Sequence, residues 1–271
     1  MLPKAILFDL DDTLFDHWRA SSIALAAMRE AFAPDLPLDL FAERHAEVLE
    51  QFHTRFLAGE FTLDQAREAR MRALFASFDR EIESATAAQA ALLYRQQHQS
   101  NRHLLDGARD LLDVLAGQCR LGIVTNNSTA EQIEKLRALN IASYFDTIVI
   151  SEDVGVTKPD QKIFAIALER IGAKPYETVF IGDNWTNDIA GATAAGMTAV
   201  WLNRDGQTPV PARPAGQKWP ESRANTGVSS TAVETIHSLA PTTSVLAAIK
   251  TAFEKRTPGV EKHEQLETLA S

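Results

Sequence analysis

The sequence predicts an α/β protein: a parallel sheet in a three-layer arrangement, with an all-helical module inserted after the first strand. Three observations carry this expectation. Ala5 to Phe8 is a short apolar run that ends on Asp9, with the length and composition of a buried strand. From Trp18 to about His103 the pattern is helical, with no strand pattern to interrupt it. Beyond that point short apolar runs alternate with helical segments. Strands separated by helices imply right-handed crossovers and a sheet covered on both faces.

The elements follow in order. In the helical stretch, Ile23, Ala26, Ala27 and Phe32 are spaced for one apolar face, and Pro34 and Pro37 end the segment. Phe41, Val48, Leu49, Phe52 and Phe56 mark a second helix, stopped near Gly59. Thr62 with Gln65 forms a capping-box pattern for a third, through Phe78, and Ala85 to His98 is a fourth. Helices are then expected at Asp106–Leu115, Ala130–Leu139, Pro159–Ile171 and Asn187–Ala195, the last stopping at Gly196. Strands are expected at Leu121–Val124, Thr147–Ile150, Val179–Ile181 and Thr198–Leu202, with a last edge strand at Ala232–His237 and a closing helix at Ser244–Phe253. The expected division is a core of 1–17 and 104–256 and a helical module of 18–103. Residues 203–231 carry several prolines and glycines and read as a long surface loop, and 257–271 as a frayed tail.

Composition narrows the class. The 271 residues are 45% hydrophobic and 23% charged, ordinary for a globular protein. A formal net charge of -9 argues against a nucleic-acid polymer as partner. The single cysteine, Cys119, forms no internal disulfide and reads as a small buried side chain. No secretory pattern opens the chain and no apolar run reaches membrane length, so the expected location is cytoplasmic. Oligomeric state is not legible.

Four places carry chemistry. Asp9, Asp11, Asp12 and Asp16 put four acidic residues within eight positions behind an apolar strand. In an open parallel sheet, ligands sit beyond the carboxyl ends of the strands. In extended backbone Asp9 and Asp11 point to the same side and can face one crevice. A carboxylate there can accept a phosphoryl group, and a second acid can protonate the leaving oxygen. Thr125 and Asn126 end a strand and offer neutral donors suited to phosphoryl oxygens. Read by themselves they are also good turn residues. Lys158, ahead of Pro159, stays out of the following helix and can reach the crevice, although a solvated lysine is the default for an isolated one. Asp183 and Asp188 follow a strand, and two carboxylates there suit a hydrated Mg²⁺. Helix capping by Asp183 or Asn184 is the plain alternative, and for Asp188 both readings can hold. Arg67 and Arg70 lie three apart on one helix and read as a solvated face.

The order D-x-D-x-T, Thr-Asn, Lys-Pro and G-D-x-x-x-x-D resembles the four motifs of the haloacid dehalogenase-like (HAD) phosphatases. The resemblance spans Lys4 to Leu202. It implies a Rossmann-like core, and the helical module resembles the family's cap domain. It makes Asp9 the nucleophile and a Mg²⁺ ligand, and Asp11 the acid/base that binds the metal through its backbone carbonyl. Thr125, with Asn126 beside it, and Lys158 would hold the phosphoryl group. Asp183 would bind the metal, and Asp188 would support it directly or from behind. The stretches D-L-D-D-T-L-F-D, G-D-N-x-x-x-D and V-W-L-N, with G-E-F-T-L-D-Q-A-R-E-A-R in the module, look most like pyrimidine 5′-nucleotidases and N-acylneuraminate-9-phosphatases.

The expected activity is therefore Mg²⁺-dependent hydrolysis of a small phosphorylated metabolite, a nucleoside 5′-monophosphate or sugar phosphate. Two alternatives share the scaffold. A haloacid dehalogenase would have no task for Asp11, because halide leaves without a proton. A phosphomutase would keep it. A non-catalytic binding protein would be expected to have lost a core residue, and none is lost.

Overall fold

The computed structural model describes residues 1–207 and 233–256. The expectations for most of the 203–231 loop and for the 257–271 tail lie outside the described residues. The chain forms two compact units: Met1–Phe15 with Leu104–Ser271, and Asp16–His103.

The first unit is a six-stranded parallel sheet with helices around it. Its strands are β1 (Ala5–Phe8), β2 (Arg120–Thr125), β3 (Thr147–Ile150), β4 (Thr178–Gly182), β5 (Thr198–Leu202) and β6 (Glu234–Ile236), in the order β3-β2-β1-β4-β5-β6. This is the parallel sheet the alternation predicts, in the Rossmann-like arrangement the resemblance implies. β1 pairs on both sides, Ala5 lying opposite Arg120 and Thr178. A strand covered on both faces has no polar side to show, which is why Ala5, Ile6, Leu7 and Phe8 are all apolar and fully buried. Burying a side chain of that size contributes about 1.5–3 kcal/mol. One side of the sheet packs Leu7, Val124 and Phe180 against Ile163, Phe164 and Ile189.

The topology sets where a ligand can sit. From β1 the chain builds outward to β2 and β3, then crosses back to place β4 on the other side of β1. The order therefore reverses between β1 and β4, and a crevice opens beyond their carboxyl ends.

The sheet's helices are α5 (Ala108–Leu115), α6 (Thr129–Ala138), α7 (Ser151–Val154), α8 (Gln161–Ile171), α9 (Gly191–Ala194) and α10 (Thr242–Arg256). Three differ from expectation. α7 is a four-residue turn too short to show periodicity. α8 starts after Pro159, because Asp160 caps it by accepting from the Lys162 N–H. Of the expected helix Asn187–Ala195, the front is a π-helical turn, Trp185–Ala190, that runs into α9.

The second unit holds α1 (His17–Phe32), α2 (Leu38–Leu57), α3 (Leu63–Ala76) and α4 (Ser84–Ser100). Its core joins Met28, Phe41, Phe52, Met71, Leu74 and Phe75. Thr62 and Gln65 form the predicted reciprocal cap. The expected face of α1 is corrected: Ala20, Ala24, Leu25 and Met28 are buried, not Ile23, Ala26 and Ala27. Residues 23–28 are apolar without a break, so spacing alone could not choose between adjacent stripes. No helix among the described residues is long and apolar enough to cross a membrane.

Candidate active site

Asp9 continues β1 by one residue, its N–H donating to Ile181 O at 3.0 Å, and so stands at the carboxyl end of β1 beside β4. The chain then curls. Leu14 and Phe15 both donate backbone N–H groups to Leu10 O, and Asp12 takes a left-handed φ of 59°. Asp tolerates that conformation better than a β-branched residue would. The carboxylates of Asp9 and Asp11 meet different lysines, Lys158 and Lys135.

The Asp9 carboxylate meets Lys158. Lys158 Nζ lies 2.6 Å from Asp9 Oδ1 and 2.7 Å from Asp188 Oδ1, with all three side chains buried. Asp183 completes the group: ligand oxygens of Asp9, Asp183 and Asp188 all lie within 4.8 Å of one another. Thr13 Oγ1 donates to Asp183 Oδ1 at 3.4 Å, and Trp201 Nε1 donates to Asp183 O at 2.8 Å.

The π-helical turn explains how Asp188 arrives there. Asn184 caps the turn by accepting from the Asn187 N–H at 2.8 Å, while Asp188 Oδ2 accepts from the Asn184 N–H at 3.0 Å. One oxygen of Asp188 thus serves the turn and the other faces the cluster. The position within the first turn, expected on the plain alternative, is what the structure shows, and the same side chain also contacts Lys158.

Electrostatics mark the cluster as short of positive charge. Burial drives the Asp9 carboxyl up to about 7, with Lys158 opposing and Asp188 adding to the rise. Burial likewise holds Asp183 well above the usual carboxylate range, helped by Asp188 and Asp9. Burial acts to lower the pKa of Lys158, but Asp188 and Asp9 outweigh it and the ammonium is held charged. One lysine among three buried or half-buried carboxylates leaves excess negative charge. A divalent cation with oxygen ligands fits such a set.

Thr125 ends β2 and Asn126 follows it. The Asn126 side chain is committed to the Lys158 backbone: Nδ2 donates to Lys158 O at 3.0 Å, and Lys158 N donates to Asn126 Oδ1 at 2.8 Å. It braces the loop that presents the lysine. Asp11 has a lysine of its own, with Lys135 Nζ at 2.7 Å from Oδ1 and 2.8 Å from Oδ2, while its charge adds to the rise at Asp9. Gln132 Nε2 donates to Asp11 Oδ2 at 3.2 Å and to Thr125 Oγ1 at 2.7 Å.

Sequence reasoning missed Lys135 and Gln132. Only burial singles them out: 132, 135, 136 and 139 form one buried stripe along α6 and its C-cap, on which Gln132 and Lys135 stand beside Leu136 and Leu139. Arg70 was read as solvated, but its guanidinium sits 5.1 Å from the centre of the Tyr94 ring. Cys119 is half-buried, and burial pushes its thiol up to about 11, which removes it as a nucleophile near neutral pH.

The sequence profile of the haloacid dehalogenase-like hydrolases matches residues 3–196. Among proteins of known name, YfnB of Bacillus subtilis, described as a HAD-hydrolase, is 34% identical over 209 residues, covering 77% of this chain and 87% of YfnB. A crystal structure of YfnB bound to magnesium superimposes with a TM-score of 0.70 at 28% identity, over 91% of this chain and all of that one. The glyceraldehyde 3-phosphate phosphatase of Methanothermobacter thermautotrophicus is 31% identical over 203 residues, 74% of this chain and 86% of that one. The pyrimidine 5′-nucleotidase YjjG of Escherichia coli is 43% identical over 100 residues, 36% of this chain and 44% of that one. The chain belongs to the haloacid dehalogenase-like hydrolases, and it is an enzyme of that family.

Proposed function

We propose that the protein is a Mg²⁺-dependent phosphomonoester hydrolase that works through an aspartyl phosphate on Asp9. The observation that carries this reading is the cluster of Asp9, Lys158, Asp183 and Asp188 at the reversal between β1 and β4. An Asp9 oxygen attacks phosphorus, the bond from phosphorus to the leaving oxygen breaks, and Asp11 gives that oxygen its proton. Water then attacks the phosphorus of the acyl phosphate, Asp11 takes a proton from it, and the bond to Asp9 breaks.

Lys158, the Thr125 hydroxyl and the Asn126 backbone are assigned to the phosphoryl oxygens. Asp9, Asp183 and the Asp11 backbone carbonyl would hold Mg²⁺, with Asp188 in support. When bound, the ion supplies positive charge that keeps these carboxylates ionised beside a phosphate dianion. One carboxylate facing one phosphate charge at about 4 Å costs roughly 4 kcal/mol at an effective dielectric of about 20, so several such pairs need the cation.

The substrate is a small phosphorylated metabolite, a nucleoside 5′-monophosphate or a sugar phosphate. The names of the glyceraldehyde 3-phosphate phosphatase and the pyrimidine 5′-nucleotidase support that class. Asp11 favours hydrolysis of a phosphate ester over dehalogenation, since halide departure needs no acid. The helical unit Asp16–His103 is assigned the choice of leaving group, as the family's cap. Turnover should be measured over nucleoside monophosphates, sugar phosphates and p-nitrophenyl phosphate with Mg²⁺, alongside Asp9→Asn. The variant should lose turnover and covalent phosphate labelling; normal turnover in it would refute the mechanism.

A further inference from the structure

We propose that Gln132 and Lys135, one turn apart on α6, are positioning residues that aim the Asp11 carboxylate and the Thr125 hydroxyl. The inference rests on the acid role given to Asp11 above. Lys135 is 1% exposed and Gln132 fully buried. A buried lysine is costly unless its charge is met. Here both Asp11 oxygens meet it, at 2.7 and 2.8 Å, and the ammonium also lies 5.4 Å from the centre of the Phe15 ring.

Gln132 fixes the rest. With Asp11 ionised, the form Lys135 meets and the base of the second step, reversing the amide would set Oε1 against an Asp11 oxygen at 3.2 Å, acceptor against acceptor, so Nε2 faces the carboxylate. The same Nε2 donates to Thr125 Oγ1 at 2.7 Å. A hydroxyl that accepts from Gln132 keeps its own hydrogen for another acceptor, which is what a phosphoryl oxygen requires. One helix turn thus orients both the acid and a phosphate donor. A helix that only packed against the sheet would place apolar side chains at 132 and 135, as it does at 136 and 139.

Misplacing a reacting group by about 1 Å can cost 10²-fold. An alkyl alkoxide needs the proton as it leaves, whereas a nitrophenolate does not. Lys135→Met should therefore slow single-turnover phosphoenzyme formation by about 10²-fold with an alkyl phosphate and much less with p-nitrophenyl phosphate. Lys135→Arg should recover most of that difference. Equal losses on both esters, or an arginine variant no better than methionine, would overturn the proposal. If Lys135→Met does not fold, Gln132→Leu carries the same test: a wider gap between the two esters supports the proposal and an unchanged gap overturns it. Asp9→Asn and Asp11→Asn run in parallel. Phosphoenzyme in Asp9→Asn would overturn the mechanism itself. A gap between esters in Asp11→Asn but not in the α6 variants would overturn only the positioning role.

Discussion

Lys158 Nζ and Asp9 Oδ1 meet at 2.6 Å across 149 positions of sequence, both side chains buried. The contact joins the loop ahead of α8 to the end of β1. Because Asp188 Oδ1 lies 2.7 Å from the same nitrogen, one ammonium serves two carboxylates. Asn126 secures this arrangement by holding the Lys158 backbone from both sides.

Removing that ammonium should be costly. Lys158→Met strands the Asp9 and Asp188 carboxylates without their buried partner. Breaking a buried pair from one side typically destabilises by about 3–5 kcal/mol. Urea denaturation in the presence of a chelator should show a loss of that order. A loss under about 1 kcal/mol would mean that the pair does not carry the electrostatic load assigned to it.

Magnesium should stabilise the fold as well as activate it. An ion bound only by the folded state at about 100 times its dissociation constant adds about 2.7 kcal/mol. For a chain of this size that raises the melting temperature by about 5–10 °C. Asp183→Asn removes a charge that burial, Asp188 and Asp9 all disfavour, so the metal-free variant should melt above the wild type. It should also lose most of the response to Mg²⁺. A variant that melts lower without metal and responds normally would separate Asp183 from the cluster.

The fold was legible where burial leaves no choice. β1 reads as a strand because a strand covered on both faces must be apolar throughout, and the candidate motifs read as a set because they come in order, each at a strand end or loop. The sequence showed less where one periodicity allows two answers. In α1 an unbroken apolar run hid which stripe faces inward. Lys135 and Gln132 were missed for another reason: a polar residue on a helix is solvated by default, and their contacts with Asp11 span 124 and 121 positions of sequence. The pairing of Asn126 with the Lys158 backbone likewise depends on two loops meeting in space.

The helical unit should weaken in acid through His45. This side chain is buried on α2, 5.1 Å between ring centres from Tyr94 of α4, and its Nε2 has no hydrogen-bond partner. Burial lowers its pKa to about 3, with Arg70 of α3 and His17 of α1 adding to the fall. In the unfolded chain the ordinary value is about 6.5. Between those values the unfolded state binds a proton that the folded state does not. Stability therefore falls as pH drops below about 6.5, by up to roughly 1.4 kcal/mol per pH unit, and this contribution is level above that. His45→Phe keeps a ring against Tyr94 and removes the proton site. Its stability should depend less steeply on pH between about 4 and 6 than that of the wild type. Parallel slopes would show that His45 does not titrate on unfolding.

Gly182 gives the most local test of how the cluster is assembled. It is the last residue of β4 and directly precedes Asp183. A Cβ built there would lie 2.5 Å from Cβ, Cγ and Oδ2 of Asp188. The glycine is needed for space rather than for backbone freedom, since its φ is not among the positive values. The neighbour cannot simply swing aside, because Asp188 Oδ2 accepts from the Asn184 N–H at 3.0 Å and Oδ1 accepts from Lys158. Gly182→Ala must then either push the π-helical turn off the sheet or break one of those two bonds. Overpacking of this kind costs about 1–3 kcal/mol. The displacement falls on the one carboxylate that touches both the lysine and the turn, so Mg²⁺ stabilisation should shrink together with the loss of fold stability. Gly182→Ser should be no better, because the clash is with Cβ itself. An alanine variant that keeps full stability and a full Mg²⁺ response would mean that Asp188 does not need the close approach seen here.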